Sequence, residues 1–224
     1  ITIVARKRHP IDLPKEPQVL IKSRRGASSY PSKISVNAWK KYNRFVLYQD
    51  DFFCSIYDNP NAKIGLLHGK RGRDSKKTKT PDSKHDVPYL FSGRSVKKYK
   101  IVIPHVEFAP SELLEKKTWN KEAQKEMLVT TKIGHRFRVM VKPKHFLVGN
   151  NVIKLYLDES LGELRDQLDK FCLCGLLNSH LMDYVVNTYV INRSELTMAF
   201  YDSITMFVPV IVLKKDRMPS QAIS

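Results

Sequence analysis

Asp82, Glu115 and Lys117 are the residues whose types and order best suit bond-breaking chemistry. Pro81-Asp82 followed at a distance by Glu115-Lys116-Lys117 places two carboxylates that can share a Mg²⁺ ion beside a lysine that can help activate water. That is the chemistry of metal-dependent phosphodiester cleavage. A pattern this short arises by chance in Lys-rich sequence, and Pro81-Asp82 also reads as a turn. No Gly-rich phosphate cradle, dinucleotide fingerprint or nucleophile elbow is present. The seven histidines show no two-ligand helical spacing, and Cys54, Cys172 and Cys174 form no paired motif. Neither a metal site, a cofactor nor a disulfide framework is therefore expected in this chain, and a reducing, cytoplasmic setting fits.

A second kind of chemistry is written in charge. The 224 residues carry a formal net charge of +17, and the sequence pI is about 9.8. Residues 61–100 hold 12 lysines and arginines against Asp74, Asp82 and Asp86, a net +9 in 40 positions. An even spread would give about +3, so the excess is local and calls for a polyanion, either nucleic acid or an anionic membrane surface. The alternative is a solvated charge run that keeps the protein soluble. No apolar run reaches the roughly 18 residues of a membrane span, and Arg6-Lys7-Arg8 leads into Pro-rich sequence, unlike a secretory signal.

The elements that must position these charges read as an α+β fold of mixed and antiparallel sheets with a C-terminal helical segment. Residues 1–31 are broken by prolines and leave room for a short strand at Val19–Lys22. Ser35–Asn43 suits a short helix. Aromatic runs at Phe45–Tyr48 and Phe52–Tyr57 predict two strands, and Tyr99–Val106 predicts another, ended near Pro104. Ser111–Lys117 suits a short helix with Trp119 as an anchor.

Leu128–Thr131 and Arg136–Val141 read as a hairpin, with Phe137, Val139 and Val141 on one face and Arg136, Arg138 and Met140 on the other. A further hairpin-like passage runs Phe146–Val148, Gly149-Asn150-Asn151, Val152–Leu157, its turn supplied with positive backbone angles by Gly and Asn. Ser160-Leu-Gly-Glu163 has a capping-box pattern before the longest helical periodicity, which Asn178-Ser179 breaks into two helices. Ile204–Leu213, interrupted by Pro209, predicts an edge strand.

Four segments together resemble a known family. Val87-Pro-Tyr-Leu-Phe-Ser-Gly-Arg-Ser-Val-Lys-Lys-Tyr-Lys-Ile101 and the helix Leu173-Cys-Gly-Leu-Leu-Asn-Ser-His-Leu-Met-Asp-Tyr184 are similar to passages of the target-recognition domains of type IIG restriction-modification enzymes and related N6-adenine DNA methyltransferases. Leu128–Leu155 matches the layout between them, and Val208-Pro-Val210 resembles the closing strand. Ser95, Lys98 and His180 stand where the family usually has Asp, Arg and Lys.

The resemblance implies recognition of double-stranded DNA sequence for catalytic domains that lie outside this chain in a longer polypeptide. Such a parent would use S-adenosylmethionine, and Mg²⁺ if it cleaves. Residues 61–224 would be the recognition domain and 1–60 an extension packed on it, or 1–224 a single domain. Lys70, Arg71, Arg73, Lys76, Lys77, Lys97 and Lys98 are the candidate phosphate contacts, and Arg94, Arg136 and Arg138 the candidate base readers. For Arg94 a salt bridge to a nearby Asp is an equal alternative. Tyr99 reads as core rather than as a stacking residue, and Leu173–Tyr184 as packing. A Mg²⁺-dependent nuclease built on Asp82, Glu115 and Lys117, and a non-specific RNA- or DNA-binding protein, are the competing functions.

Overall fold

The computed structural model describes residues 18–22, 29–33, 41, 46–81, 84–162, 168–192 and 198–212. Strands β1 (Gln18–Lys22) and β2 (Ser29–Lys33) form an antiparallel pair of their own. Helix α1 (Asp51–Tyr57) begins where the Asp50 carboxylate accepts the Phe53 amide, and Asp51 in its first turn suits the positive helix end. Then come β3 (Ala62–Lys63), β4 (Leu67–Arg71), β5 (Val87–Leu90), the short hairpin of β6 (Val96–Lys97) and β7 (Lys100–Ile101), and β8 (Glu107–Ala109). Helix α2 (Lys117–Ala123) leads into β9 (Met127–Thr131), β10 (Ile133–Gly134), β11 (Met140–Lys142), β12 (Leu147–Val148) and β13 (Val152–Leu157). Helices α3 (Lys170–Leu177) and α4 (His180–Val185) follow, the latter running into a π-helical turn at Val186–Val190. β14 (Met198–Ala199), α5 (Asp202–Thr205) and β15 (Val210–Ile211) complete the described elements.

The strand alternation of β13 organises the middle of the molecule. It sits inside an antiparallel sheet ordered β11-β9-β13-β4, so both its faces must be covered. One face, with Leu67, Leu128, Ile153 and Leu155, packs against Leu173, Leu177, Val185 and Tyr189 of the helical segment, joined by Phe53 of α1. The other face, with Val129, Met140 and Val152, packs against Leu90, Val96 and Val148. Those residues bring in a second sheet, β12-β5-β8, on which Trp119 and Ala123 of α2 rest. The two sheets approach so closely at Gly72 and Gly149 that only glycine fits: a Cβ on Gly149 would lie 2.6 Å from the Phe91 Cα, and one on Gly72 would lie 2.2 Å from the Gly149 carbonyl oxygen.

Between the sheets lies a buried ion pair. Lys154 Nζ of β13 donates to Glu122 Oε2 of α2 at 2.7 Å, and Glu122 Oε1 accepts the Val148 amide of β12 at 3.0 Å. Their side chains are only 7% and 5% exposed. Lys142 is also buried, its Nζ donating to the Pro143 and Phe146 carbonyls at 2.8 and 2.7 Å. Burial pushes the Lys142 ammonium down from 10.5 to about 8, against the pull of Glu122 and Glu126.

Several elements differ from the sequence expectation. Asp51–Tyr57 is helix, because the Asp50 cap and the spacing of Phe53, Ile56 and Tyr57 outweigh aromatic β propensity; Val46–Tyr48 forms no strand, and Phe45 lies outside the described residues. Residues 147–157 are no hairpin: β12 runs parallel to β5, and β13 pairs with β9 and β4. Gly149, Asn150 and Asn151 have no positive φ; Gly149 is there for close approach.

Of the helix expected from Ser160, Glu159–Leu161 form a 3-10 turn capped by Asp158 and followed by Gly162 with φ +51°, and residues 163–167 lie outside the described residues. Asp169 instead caps α3 by accepting the Phe171 and Cys172 amides. Tyr99–Val106 yields only β7 before a 3-10 turn at Ile103–His105, Ser111–Glu115 is 3-10 with helix following it, and Ile204–Leu213 gives the end of α5 and then β15. The helix expected at Ser35–Asn43 falls almost wholly outside the described residues. The break at Asn178-Ser179, the strand near Val19, the antiparallel pairing of β9 with β11 and the burial of Trp119 are all present.

Glu122→Gln leaves the Lys154 ammonium buried and unpaired, and is expected to cost about 3–5 kcal/mol in urea unfolding, whereas the double change Glu122→Leu with Lys154→Met is expected to fall near wild type. Between pH 8 and 10.5 the unfolded chain holds a proton that folded Lys142 has released, so unfolding free energy is expected to rise with pH across that window. Urea melts at several pH values should lose that rise in Lys142→Met.

Candidate nucleic-acid interface

Ser92 organises the approach to the β6–β7 hairpin. Its Oγ accepts the Arg94 amide at 3.2 Å and its carbonyl accepts the Ser95 hydroxyl at 2.6 Å, making a 3-10 turn that turns Arg94 outward and buries Ser95. Val96 and Ile101 pair across the hairpin, as do Lys97 and Lys100. At the tip Tyr99 has φ +67°, and its amide donates to the Val139 carbonyl at 2.9 Å.

Lys98 points back into the protein. Its Nζ donates to the Asn178 carbonyl at 2.7 Å and to Asp183 Oδ2 at 2.8 Å. Asn178 in turn grips Val139 as a neighbouring strand would: its Oδ1 accepts the Val139 amide at 2.9 Å and its Nδ2 donates to the Val139 carbonyl at 2.7 Å. Asp183 also lies 3.8 Å from Arg136 Nη1. The corner between α3 and α4 therefore fixes both the hairpin and the loop that carries Arg136 and Arg138.

Several cations of this region are exposed. Arg94, Lys97, Lys100 and Arg138 are exposed and have no ion-pair partner among the described residues, and Arg136 is exposed beside Asp183. Gly93 lies against Thr131 and the Asn151 carbonyl, the same carbonyl that accepts the Lys132 amide, so Arg94 adjoins the Asn150-Asn151 turn. Arg71 reaches that turn from β4, its Nε donating to the Asn150 carbonyl at 3.1 Å. Arg71 and Arg94 thus lie by the Asn150-Asn151 turn, while Lys97, Lys100, Arg136 and Arg138 lie on the hairpin and loop held by Asn178 and Asp183.

The remaining sequence candidates sit differently. Arg73 is half-buried with its guanidinium 5.2 Å above the Trp119 ring, and Lys77 lies over Phe91 with Glu107 at 3.2 Å. Arg73 and Lys98 are half-buried and engaged by protein groups, whereas Lys77 keeps its ion pair with Glu107 at an exposed position. Lys70 is exposed over Tyr156, and Lys76 is exposed on the segment leading to Thr78, which bridges to β8.

Tyr99 is not core: 61% of it is exposed, because its positive φ turns it away from the buried side of the hairpin. Arg94 has no salt bridge to an Asp among the described residues. Leu173 and Leu177 pack as expected, but Asn178 and Asp183 in the same helical passage hold the interface, a role that its apolar periodicity conceals. The signal for it was a pair of polar residues placed on an otherwise apolar helical stripe. Asp82, the first member of the nuclease-like pattern, lies outside the described residues, while Glu115 and Lys117 are exposed. Among the described residues no group of three or more His, Cys, Asp or Glu side chains is placed to hold a metal ion, and no helix is long and apolar enough to cross a membrane.

A two-sided sheet core that rigidly presents arginines and lysines on a short hairpin and its neighbouring loop defines a module built to meet a polyanion. Residues 88–207 match the family model of the TaqI-like C-terminal specificity domain, and the chain belongs to that family. It is accordingly a target-recognition domain of restriction-modification, concerned with sequence-specific DNA recognition on behalf of a parent enzyme with catalytic domains. The matched span runs from β5 through the hairpin and α3–α4 to the turn after α5. No curated protein matches the chain.

Lys97 and Lys98 are neighbours in sequence with opposite expected behaviour. In DNA titrations over a range of salt, Lys97→Gln is expected to lower the slope of log K against log salt by about 0.9 while leaving stability unchanged. Lys98→Met is expected to destabilise the fold by about 1–3 kcal/mol through the groups it leaves unpaired.

Proposed function

We propose that the chain reads duplex DNA along the surface from Arg71 past the Asn150-Asn151 turn and Arg94 to the β6–β7 hairpin, Arg138 and Arg136. Lys97, Lys100 and Arg71 meet phosphates and set register, with Lys70 and Lys76 adding contacts at the margin. Arg94, Arg136 and Arg138 reach base edges, where a guanidinium is matched to the paired acceptors of guanine. Arg73 and Lys98 act from behind by shaping the surface. The observation that carries this reading is the set of exposed, unpaired cations held on a hairpin and loop that Asn178 and Asp183 clamp in place.

In the parent polypeptide this recognition would serve an adenine-specific methyltransferase, with or without an endonuclease, in the manner of type IIG enzymes. S-adenosylmethionine, and Mg²⁺ for cleavage, would then be bound outside this chain. Selection from random duplex DNA, sequenced at two salt concentrations, is expected to enrich a short site that persists at the higher salt. Arg94→Ala is expected to relax that site at one base pair. Loss of all enrichment as salt rises, or tighter binding to RNA than to duplex DNA, would replace this reading with non-specific polyanion binding.

A further inference from the structure

Tyr99 combines three properties that packing does not explain. It is a non-glycine residue at φ +67°, a backbone conformation that disfavours any side chain with a Cβ. The residue is 61% exposed, and its ring contacts no aromatic ring or cation among the described residues. It nevertheless sits on a rigid mount. The Tyr99 amide is tied to the Val139 carbonyl, Val139 is held on both sides by Asn178, and the preceding residue, Lys98, is anchored to Asn178 and Asp183. The positive φ belongs to the two-residue turn between paired Lys97 and Lys100, but an exposed aromatic ring on so rigid a mount, flanked by those two lysines, points to a ligand that needs both an aromatic face and positive charge. The bases and phosphates of DNA supply that pairing.

We infer that Tyr99 is a nucleobase-stacking residue: its ring wedges into an unstacked step of the duplex and packs on the face of a base while Lys97 and Lys100, opposite one another in the hairpin, hold the phosphates on either side. This rests on the reading of the same surface as the DNA interface and adds a contact of a different physical kind. Stacking releases no counterions, so it contributes affinity without contributing to the salt slope. It is also tolerant of which base is present, so Tyr99 strengthens binding at the site that Arg94, Arg136 and Arg138 select.

The test uses the 224-residue chain, the duplex site enriched in the selection, and equilibrium titrations over a range of salt. Tyr99→Ala is expected to weaken binding about 5- to 150-fold with the salt slope unchanged. Tyr99→Phe is expected to bind as wild type does. Tyr99→Gly, which relieves the backbone conformation, is expected to melt no lower than wild type while binding as weakly as Tyr99→Ala, which separates a loss of binding from a loss of folding. Full-strength binding by Tyr99→Ala overturns the inference. So does a Tyr99→Phe variant as weak as Tyr99→Ala, since the hydroxyl would then be the contact, or a slope that falls with Tyr99→Ala as it does with Lys97→Gln. A wild-type chain that binds no duplex overturns the interface reading as well, whereas wild-type binding with an indifferent Tyr99 overturns this inference alone.

Discussion

The rest of the structure depends on how Glu122 is satisfied. A carboxylate so far from water is tolerable only with close partners, and this one has two from different elements: the Lys154 ammonium on β13 and the Val148 amide on β12. Since Glu122 itself belongs to α2, a single side chain fixes a helix and two sheets relative to one another. The apolar clusters on either side have no directional preference of their own. The ion pair supplies it, and the glycine crossing at Gly72 and Gly149 requires it, because contacts that close leave no freedom for the sheets to slide.

A second polar anchor does for the surface what Glu122 does for the interior. Asn178 satisfies the backbone of Val139 with its side chain and Lys98 with its carbonyl, and Asp183 adds a charge one helix later. The hairpin is only two residues long on each strand and would not hold its shape alone. Its geometry is borrowed from α3 and α4. The apolar stripe of those helices secures them to the central sheet, so position is transmitted from the core to the exposed cations through a short chain of contacts.

Much of this was legible in the amino-acid sequence, and the divisions are physical. The breakpoint at Asn178-Ser179 and the strands β9 and β11 follow from local preference and alternation, which tertiary context did not override. The aromatic run after Asp50 became a helix because a capping carboxylate is a short-range signal that β propensity does not contain. The parallel pairing of β12 with β5 joins residues almost 60 positions apart, and nothing local in Gly149-Asn150-Asn151 distinguishes a tight crossing from a hairpin turn. For the proposed site, charge and family passages pointed to Arg94, Lys97, Arg136 and Arg138, which are exposed. They misplaced Lys98, expected at a phosphate but turned inward, and Tyr99, expected in the core but exposed, because the direction of a residue in a two-residue turn depends here on a partner, Asp183, that lies 85 residues from Lys98.

The exposed cations of the interface have a property that concerns inheritance rather than binding. The side chains of Arg94, Lys97, Lys100 and Arg138 make no hydrogen bond or ion pair with the described residues, so exchanging them leaves the fold's own side-chain interactions untouched. The residues that hold the surface in place, Lys98, Asn178, Asp183 and Glu122, are a separate set. On the proposed reading, machinery that recognises and machinery that supports are carried by different side chains. A lineage carrying this domain can drift toward a new target by substitutions that selection on stability does not see, while the scaffold beneath stays under constraint.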